Sequence, residues 1–248
     1  MTRTRDILIE QIWRGRDPFS DFINSQETEN PPVDSEGWIG SDHAYFEETI
    51  ERSHPRIIVE IGVWKGASAL HMAKLLRAKN IDGAVIAVDT WLGSCEHWLN
   101  DEWFADLNMK SARATIQDKF MNNVLAEGLQ DYIIPLPLDS INASELLKAL
   151  AVQIDMVHID AGHDYASVTK DIAAWWPLIR VGGILIGDDY FVEPPVWPEV
   201  KKAFDEFTAK RNLQFDYSQP KIRIAKPDRE SASRFIFSAF LRKQLSKV

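Results

Sequence analysis

Residues 154–190 read IDMVHIDAGHDYASVTKDIAAWWPLIRVGGILIGDDY, and this stretch decides the fold. It holds two short apolar runs, 154–159 and 184–187, with an amphipathic helical pattern between them over about 165–178. A strand, a helix and a second strand in this order form a right-handed crossover unit. We therefore expect the two runs to be parallel neighbours in one sheet.

Acidic residues follow both apolar runs. Asp160 follows the first run, and Asp188 and Asp189 follow the second, so we expect three carboxylates at the carboxyl edge of the sheet, where open α/β folds bind ligands. Carboxylates packed together repel one another unless a cation lies between them, and magnesium prefers oxygen ligands of this kind. The alternative is that each Asp caps a following helix. Asp164 already supplies a cap for the helix after Asp160, and two prolines follow Asp189 closely, so we favour the metal site.

The composition suits one large α/β domain that acts on a small molecule. The chain has 248 residues and a formal net charge of -9 with no block of Lys and Arg, which argues against nucleic acid or an anionic membrane as a partner. Cys95 is the only cysteine, so neither an intramolecular disulfide nor a thiolate-rich zinc site can form. Neither a signal-peptide pattern nor an apolar stretch of membrane-spanning length is found, and we expect a cytoplasmic protein.

Strand and helix patterns alternate on both sides of the opening stretch. The other predicted elements before it cover 56–61, 67–79, 84–88, 110–127 and 132–138, with a short helix from Asn142 that is capped by Asn142 and Glu145. Two prolines place the strand at 132–138 at a sheet edge, and two short runs at 213–218 and 221–226 predict a hairpin. The predicted fold class is α/β: a Rossmann-like, doubly wound, seven-stranded sheet, mostly parallel, with a terminal antiparallel hairpin.

Residues 1–55 precede the first strand and are predicted to form an N-terminal helical arm or lid. Helical patterns at about 4–14 and 42–53 flank 18–40, which is rich in Asn, Ser, Glu and Pro and which we expect to be irregular. A further amphipathic helix is predicted at 231–245. Because both ends of the chain carry apolar helical faces, we expect a homo-oligomer.

The turn after the first strand reads EIGVWKGAS over residues 60–68. Its glycines let a ligand approach the backbone, and the next helix offers free amides, but the spacing is not the G-x-G-x-x-G of a dinucleotide site. Asp89 ends the second strand, where an acid accepts hydrogen bonds from a ribose diol. A nucleoside without a pyrophosphate suggests S-adenosylmethionine. The alternative is a tight structural turn beside an exposed strand end.

Tryptophans cluster in the segment 90–104, directly after Asp89. We expect Trp91, Trp98 and Trp103 either to cover the adenine or the substrate, or to anchor the segment to the core. The sequence leaves both roles open.

These motifs together resemble the class I, metal-dependent S-adenosylmethionine O-methyltransferases. The likeness covers about 56–190 and includes two branches, catechol O-methyltransferase and the macrolide or aminocoumarin sugar O-methyltransferases. It implies that 56–248 form an S-adenosylmethionine-binding methyltransferase domain. It also implies a cofactor-binding set, with the methionine portion, the ribose and the adenine contacted in turn: Glu60, Gly62, Trp64, Gly66 and Ser68; Asp89 with the adjacent Thr90 and Trp91; and Asp139 with Ser140.

Methyl transfer from a sulfonium to oxygen is a one-step displacement, so the protein must align two atoms and remove a proton. Magnesium held by the three acids would lower the pKa of the attacking hydroxyl. His163 is our candidate base. The chain departs from the family here, because the sugar branch has an acid at the position of Gly162 and the catechol enzyme has a lysine at the position of His163. His158 is a weaker candidate, because it lies inside a strand.

We therefore expect a methyltransferase that acts on a hydroxyl of a small molecule, such as a sugar or another vicinal diol of a secondary metabolite. Two alternative hypotheses remain. One is a nicotinamide-dependent oxidoreductase, and the other is a catalytically inactive methyltransferase fold that acts as a binding protein.

Overall fold

The protein was analysed as a computed structural model that describes residues 2–25 and 40–228. The helix predicted at 231–245 lies outside the described residues. No helix in the described part of the chain is both long enough and apolar enough to cross a membrane.

Seven strands in the described residues form one sheet with the order β3-β2-β1-β4-β5-β7-β6. The strands are β1 (Ile57–Ile61), β2 (Ala84–Val88), β3 (Ile133–Leu136), β4 (Ile154–Ile159), β5 (Ile179–Gly187), β6 (Phe215–Ser218) and β7 (Lys221–Ala225). The pairs among β1 to β5 are parallel, whereas β7 is antiparallel to both β5 and β6. The predicted fold class is confirmed, including the edge position of β3 and the parallel pairing of β4 with β5.

Helices cover both faces of this sheet. They are α1 (Thr4–Trp13), α2 (Pro18–Ser25), α3 (Ala44–Ser53), α4 (Ala67–Ala78), α5 (Cys95–Leu99), α6 (Asp101–Asp106), α7 (Ile116–Ala126), α8 (Ser140–Ala149), α9 (Tyr165–Trp175) and α10 (Pro198–Arg211). Asp164 starts α9 as expected, since its carboxylate accepts hydrogen bonds from the amides of Ala166 and Ser167.

The core consists of two apolar layers, one on each face of the sheet. Leu8 and Ile9 of α1 pack in one layer with α8, α9 and α10, and Phe46 and Ile50 of α3 pack in the other with α4 and α7. Side chains that alternate between the two faces of a strand supply both layers. Residues from the predicted arm are therefore part of the core, and a lid movement of this region stays a prediction.

Two of the expected helix starts are wrong. The helix predicted at 110–127 begins at Ile116, because Ser111 and Ala112 have φ angles of 48° and 61° and Lys110 pairs with Arg113 in an isolated bridge. A helix cannot include residues with these backbone angles.

The helix expected from Asn142 begins at Ser140 and is not capped by Asn142. The carboxylate of Asp139 accepts hydrogen bonds from the amides of Ile141 and Asn142, at 3.1 and 3.0 Å. Asp139 is therefore the N-cap, because its carboxylate accepts from the free amides at the start of the helix, whereas Asn142 lies within the first turn.

Part of 18–40 is regular, in contrast to the expectation. Pro18 begins α2, where its fixed φ suits the first helical position. The carboxylate of Asp17 accepts a hydrogen bond from the amide of Phe19 at 3.0 Å, so the segment has the cap that the composition alone did not indicate.

Candidate functional site

The ends of β1 and β4 touch at the carboxyl edge of the sheet. Gly62 follows β1 with a φ of +81°, and a Cβ atom built on it would lie 1.8 Å from the carbonyl oxygen of Asp160. Only glycine fits this approach. The predicted cofactor turn therefore lies directly against the backbone of the first predicted metal ligand, and the two form one continuous site.

Asp89 shapes the glycine turn. Its Oδ2 accepts hydrogen bonds from the amides of Val63 and Trp64, at 2.8 and 2.9 Å, and its Oδ1 accepts one from the amide of Trp91 at 2.8 Å. An ionised carboxylate has about four acceptor positions. Asp89 therefore keeps about one position for a further hydrogen bond while it holds the turn, and its contact with a ribose hydroxyl stays a prediction.

The tryptophan segment consists of two short helices, α5 and α6, and its tryptophans differ in their surroundings. Trp91 is buried: its Nε1 donates to the carbonyl oxygen of Trp64 at 2.9 Å, and its ring stacks on Phe120 with centroids 5.0 Å apart. This side chain anchors the segment, which was the alternative role. Trp98 is 51% exposed and so remains available to a ligand, and Trp103 contacts the ring of His97.

Asp160 and Asp188 lie together with His158. One ligand atom from each of these three side chains lies within 4.8 Å of the other two. No hydrogen bond or salt bridge joins the half-buried Asp160 carboxylate to another residue in the described part of the chain. Burial, together with the negative charges of Asp188 and Asp189, raises the pKa of Asp160 well above its usual range, although the charge of nearby Lys221 opposes this shift. Asp160 is thus a carboxylate that no positive group contacts directly.

Asp189, the third predicted ligand, contacts His163 instead of joining that group. Its Oδ2 lies 3.0 Å from Nε2 of His163, and Nδ1 of the same ring lies 2.9 Å from Oε2 of Glu96. Burial lowers the pKa of His163, but the contacts to Asp189 and Glu96 outweigh burial and raise that pKa above its ordinary value. The ring also stacks on Trp197, with centroids 4.2 Å apart. The two carboxylates therefore favour the protonated form of His163, in which each ring nitrogen donates to one of them.

A buried chain of polar side chains runs beneath the site on the face covered by α3. Ser68 donates to the carboxylate of Glu60, and the same carboxylate lies 2.9 Å from Nδ1 of His158. Complete burial raises the pKa of Glu60 to about 8. The predicted cofactor residues Glu60 and Ser68 therefore contact each other, and the carboxylate of Glu60 points into the core.

Lys221 continues this chain to Asp188. Its Nζ lies 3.1 Å from Nε2 of His158 and donates to Oδ2 of Asp188. Because an ammonium only donates, Nε2 of His158 accepts and Nδ1 carries the proton that goes to Glu60. Burial and the charge of Lys221 lower the pKa of His158 well below its ordinary value, which agrees with this neutral tautomer.

The remaining predicted cofactor residues lie at the neighbouring strand ends. Thr90 is exposed next to Asp89. Asp139 caps α8, and the Oγ of Ser140 donates to Asp171 at 2.5 Å and accepts from Trp175 at 2.9 Å. Both side chains already have protein partners, and their contact with adenine stays a prediction.

Glu96, Trp197 and Lys221 are site residues that the sequence analysis did not identify. The pairing of Gly187 with Ile222 brings Lys221 beside Asp188. Register in the hairpin comes from tertiary pairing, so no local pattern marks this lysine. Trp197 offered a weak signal, since it lies in the segment that follows the predicted acid pair.

Comparison with known proteins assigns this site to a family. A family model described as a methyltransferase domain matches residues 59–190, which is more than half of the chain and includes the glycine turn and all three acids. The chain belongs to the methyltransferase-domain family.

Relatives agree with this assignment. The chain is 27% identical over 176 residues to demethyldecarbamoylnovobiocin O-methyltransferase of Streptomyces niveus, a match that covers 67% of this chain and 63% of the relative. The chain therefore spans less than two thirds of that relative's length.

Two solved structures resemble the fold. The O-methyltransferase NovP matches with a TM-score of 0.58 at 22% identity, over 76% of this chain and 80% of its own. An O-methyltransferase from Bacillus cereus in complex with SAH matches with a TM-score of 0.52 at 15% identity, over 90% of this chain and 98% of its own. At these identities the likeness shows the shared methyltransferase fold.

The donor set of this methyltransferase domain fits a divalent cation. No positively charged side chain contacts the Asp160 carboxylate directly in the described residues, and Asp188 and Asp189 lie at the end of the adjacent strand. Oxygen donors of this kind suit magnesium. A cation would also relieve the repulsion that raises the pKa of Asp160.

Proposed function

We propose that the protein transfers a methyl group from S-adenosylmethionine to a hydroxyl of a small molecule, with a divalent cation such as magnesium held by Asp160, Asp188 and Asp189. The observation that carries this proposal is the contact between Gly62 and the backbone of Asp160. It joins the cofactor turn of a methyltransferase domain to a carboxylate that no positive group contacts directly. Donor and acceptor subsites of one displacement reaction need this proximity.

The chain's own residues would bind and orient the cofactor. The turn that contains Gly62, Trp64 and Gly66 would hold the methionine portion, and the remaining acceptor position of Asp89 would bind a ribose hydroxyl. Thr90 and Trp91 support the turn through their position next to Asp89, and Asp139 with Ser140 would border the adenine. Glu60 and Ser68 would support the cofactor turn indirectly, since the hydrogen bond between their side chains fixes the start of α4.

His163 would move the proton. Both ring nitrogens lie against carboxylates, so Nε2 must first be without its proton, which the adjacent Asp189 can take. The neutral ring can then accept the proton of the substrate hydroxyl at Nε2. Stacking on Trp197 keeps the plane of the ring fixed during this change. A bound magnesium ion would supply Lewis acidity, which lowers the pKa of a hydroxyl that it coordinates.

We propose a sugar or another vicinal diol of a secondary metabolite as the acceptor. A relative's name, demethyldecarbamoylnovobiocin O-methyltransferase, supports O-methylation of a secondary metabolite. The vicinal diol follows from the proposed cation, which would bind two neighbouring oxygens. Exposed apolar side chains, Trp98, Leu99, Phe104 and Val196, belong to the segments that flank the site and would contact the body of such a molecule.

Cofactor binding is the first test. We expect S-adenosylhomocysteine to raise the midpoint of thermal unfolding, because a ligand that binds only the folded state stabilises it. NAD is the matched control and should leave the midpoint unchanged. A higher midpoint with NAD but not with S-adenosylhomocysteine would support the oxidoreductase hypothesis. An unchanged midpoint with both ligands would support a binding protein that has lost the cofactor.

The reaction is tested with a panel of acceptors. We expect release of S-adenosylhomocysteine with vicinal diols in the presence of magnesium, and none with the matching single hydroxyls or after chelation. Equal rates with and without a chelator would contradict the metal-dependent part of the proposal alone.

A further inference from the structure

Lys221 lies inside the acid cluster. This first residue of β7 is fully buried, which is rare for lysine unless the charge is paired. Its ammonium contacts Asp188 and His158 and lies 5.1 Å from the ring centroid of Phe46. Asp188 and His158 are two of the three groups whose ligand atoms meet the distances of a metal site. The lysine therefore already occupies donor atoms that a metal ion would use.

We propose that Lys221 is a positioning residue that acts as a built-in cation of the site. Its ammonium fixes Asp188 and His158 and keeps metal ions away from the imidazole, so that a divalent cation binds on the Asp160 side with oxygen ligands. The inference has two parts. The metal-binding part, that Lys221 directs a divalent cation to the Asp160 side, rests on the proposed function. The charge-compensation part, that Lys221 neutralises the buried charge of Asp188, concerns the metal-free protein.

The charge of Lys221 determines which donor atoms a metal ion can use. Two positive charges about 4 Å apart repel one another strongly where water is excluded. The ammonium of Lys221 therefore disfavours a metal ion on the shared oxygen of Asp188. Imidazole binds cobalt and zinc better than manganese, whereas magnesium prefers oxygen. Removal of Lys221 should thus open a site formed by His158, Asp160 and Asp188 that favours the softer ions.

Lys221→Met tests the metal-binding part, because methionine keeps the length and the apolar stem but lacks the charge. We expect calorimetry to show cobalt binding at least about tenfold tighter than in the wild type, and the cobalt absorption spectrum to change because the imidazole becomes a ligand. Lys221→Arg keeps the charge and should behave like the wild type. Equal or weaker cobalt binding by Lys221→Met would overturn this part.

Lys226→Met is a matched control. Lys226 follows the other end of β7, and its ammonium donates to backbone carbonyls, including that of Trp176 at 2.8 Å. Loss of this lysine removes a half-buried cation at the opposite end of the same strand but no carboxylate contact. We expect a lower unfolding midpoint with unchanged cobalt affinity, which separates the role of Lys221 from a general structural one.

A double-mutant cycle without metal tests the charge-compensation part. Lys221→Met should lower the unfolding midpoint by roughly 10 °C, because it leaves Asp188 buried without its partner. Lys221→Met combined with Asp188→Asn should recover most of this loss. If Lys221→Met does not fold, the double variant should still fold with an unfolding midpoint close to that of Asp188→Asn, because the lysine is then removed without leaving a buried charge. A double variant that also fails to fold would overturn the inference. Additive losses would overturn the inference.

The two experiments distinguish this inference from the proposed function. Absence of metal binding in every variant would contradict the proposed function and the metal-binding part, while the metal-free cycle would still decide the role of Lys221.

Discussion

At the scale of single residues, Asp160 carries the strongest functional signal. Burial and the charges of Asp188 and Asp189 raise its pKa, so its ionised form destabilises the metal-free protein at neutral pH. The proposed cation would offset this cost, because a positive charge beside Asp160 favours its ionised form.

Asp160→Asn should separate stability from activity. In the absence of divalent cations the variant is expected to unfold at an equal or higher temperature than the wild type at pH 7.5, because the unpaired charge is gone. Turnover should fall about a hundredfold or more, because a cation ligand is lost. A variant that is less stable without metal, or one that keeps full activity, would contradict the role assigned to Asp160.

His163 tests the proton-transfer step. His163→Gln should lower kcat by about 10²- to 10⁴-fold at neutral pH, the usual contribution of a general base. His71→Gln, a histidine on α4 outside this site, is the control and should leave kcat unchanged. An unchanged kcat for His163→Gln would assign the proton to another group.

At the scale of elements, the contact between α8 and α9 makes stability depend on pH. Burial raises the pKa of Asp171 from 3.8 to about 6, although Ser140 donates a hydrogen bond to it. The folded state therefore binds this proton more tightly than the unfolded state. Stability from this group is highest at low pH and is lost as the pH rises from about 4 to about 6.

Asp171→Asn removes this dependence. Urea denaturation gives the free energy of unfolding of the variant and of the wild type. The difference, variant minus wild type, should increase by about 2–3 kcal/mol between pH 4 and pH 6.5 and remain constant above that pH. Comparison with the wild type cancels the other titrating groups. A difference that is constant over this range would show that Asp171 has an ordinary pKa in the folded protein.

The elements also show what a sequence can predict. The runs at 154–159 and 184–187 gave the parallel pair, because burial on both sides of a strand leaves a continuous apolar pattern. The start of α7 was wrong, because the positive φ angles of Ser111 and Ala112 depend on a local bridge. Lys221 was missed, because its neighbours belong to strands that are distant in sequence. Local patterns predict elements, whereas contacts between elements decide the details of the site.

At the scale of the whole molecule, the N-terminal region belongs to the folded core. Leu8 and Phe46 are almost completely buried, and Phe46 also packs against His158 of the buried polar chain with ring centroids 4.9 Å apart. The described residues of this region, 2–25 and 40–55, thus cover parts of both faces of the sheet and support the site from beneath. Its role in the predicted homo-oligomer stays a prediction.

Deletion of residues 1–55 should abolish cooperative unfolding. Both apolar layers would lose buried side chains and expose the sheet, and each large core side chain contributes several kcal/mol. Near-ultraviolet circular dichroism during heating would report this loss. A truncated chain that unfolds cooperatively near the wild-type temperature would show that 56–248 fold independently, as a separate arm requires.

The central claim is that a cation and S-adenosylmethionine meet at one site, and calorimetric titration of magnesium into protein saturated with S-adenosylhomocysteine tests it most directly. We predict that the wild type binds one magnesium ion per chain and that Asp160→Asn binds none. Absence of magnesium binding by the wild type, or undiminished binding by Asp160→Asn, would contradict the claim.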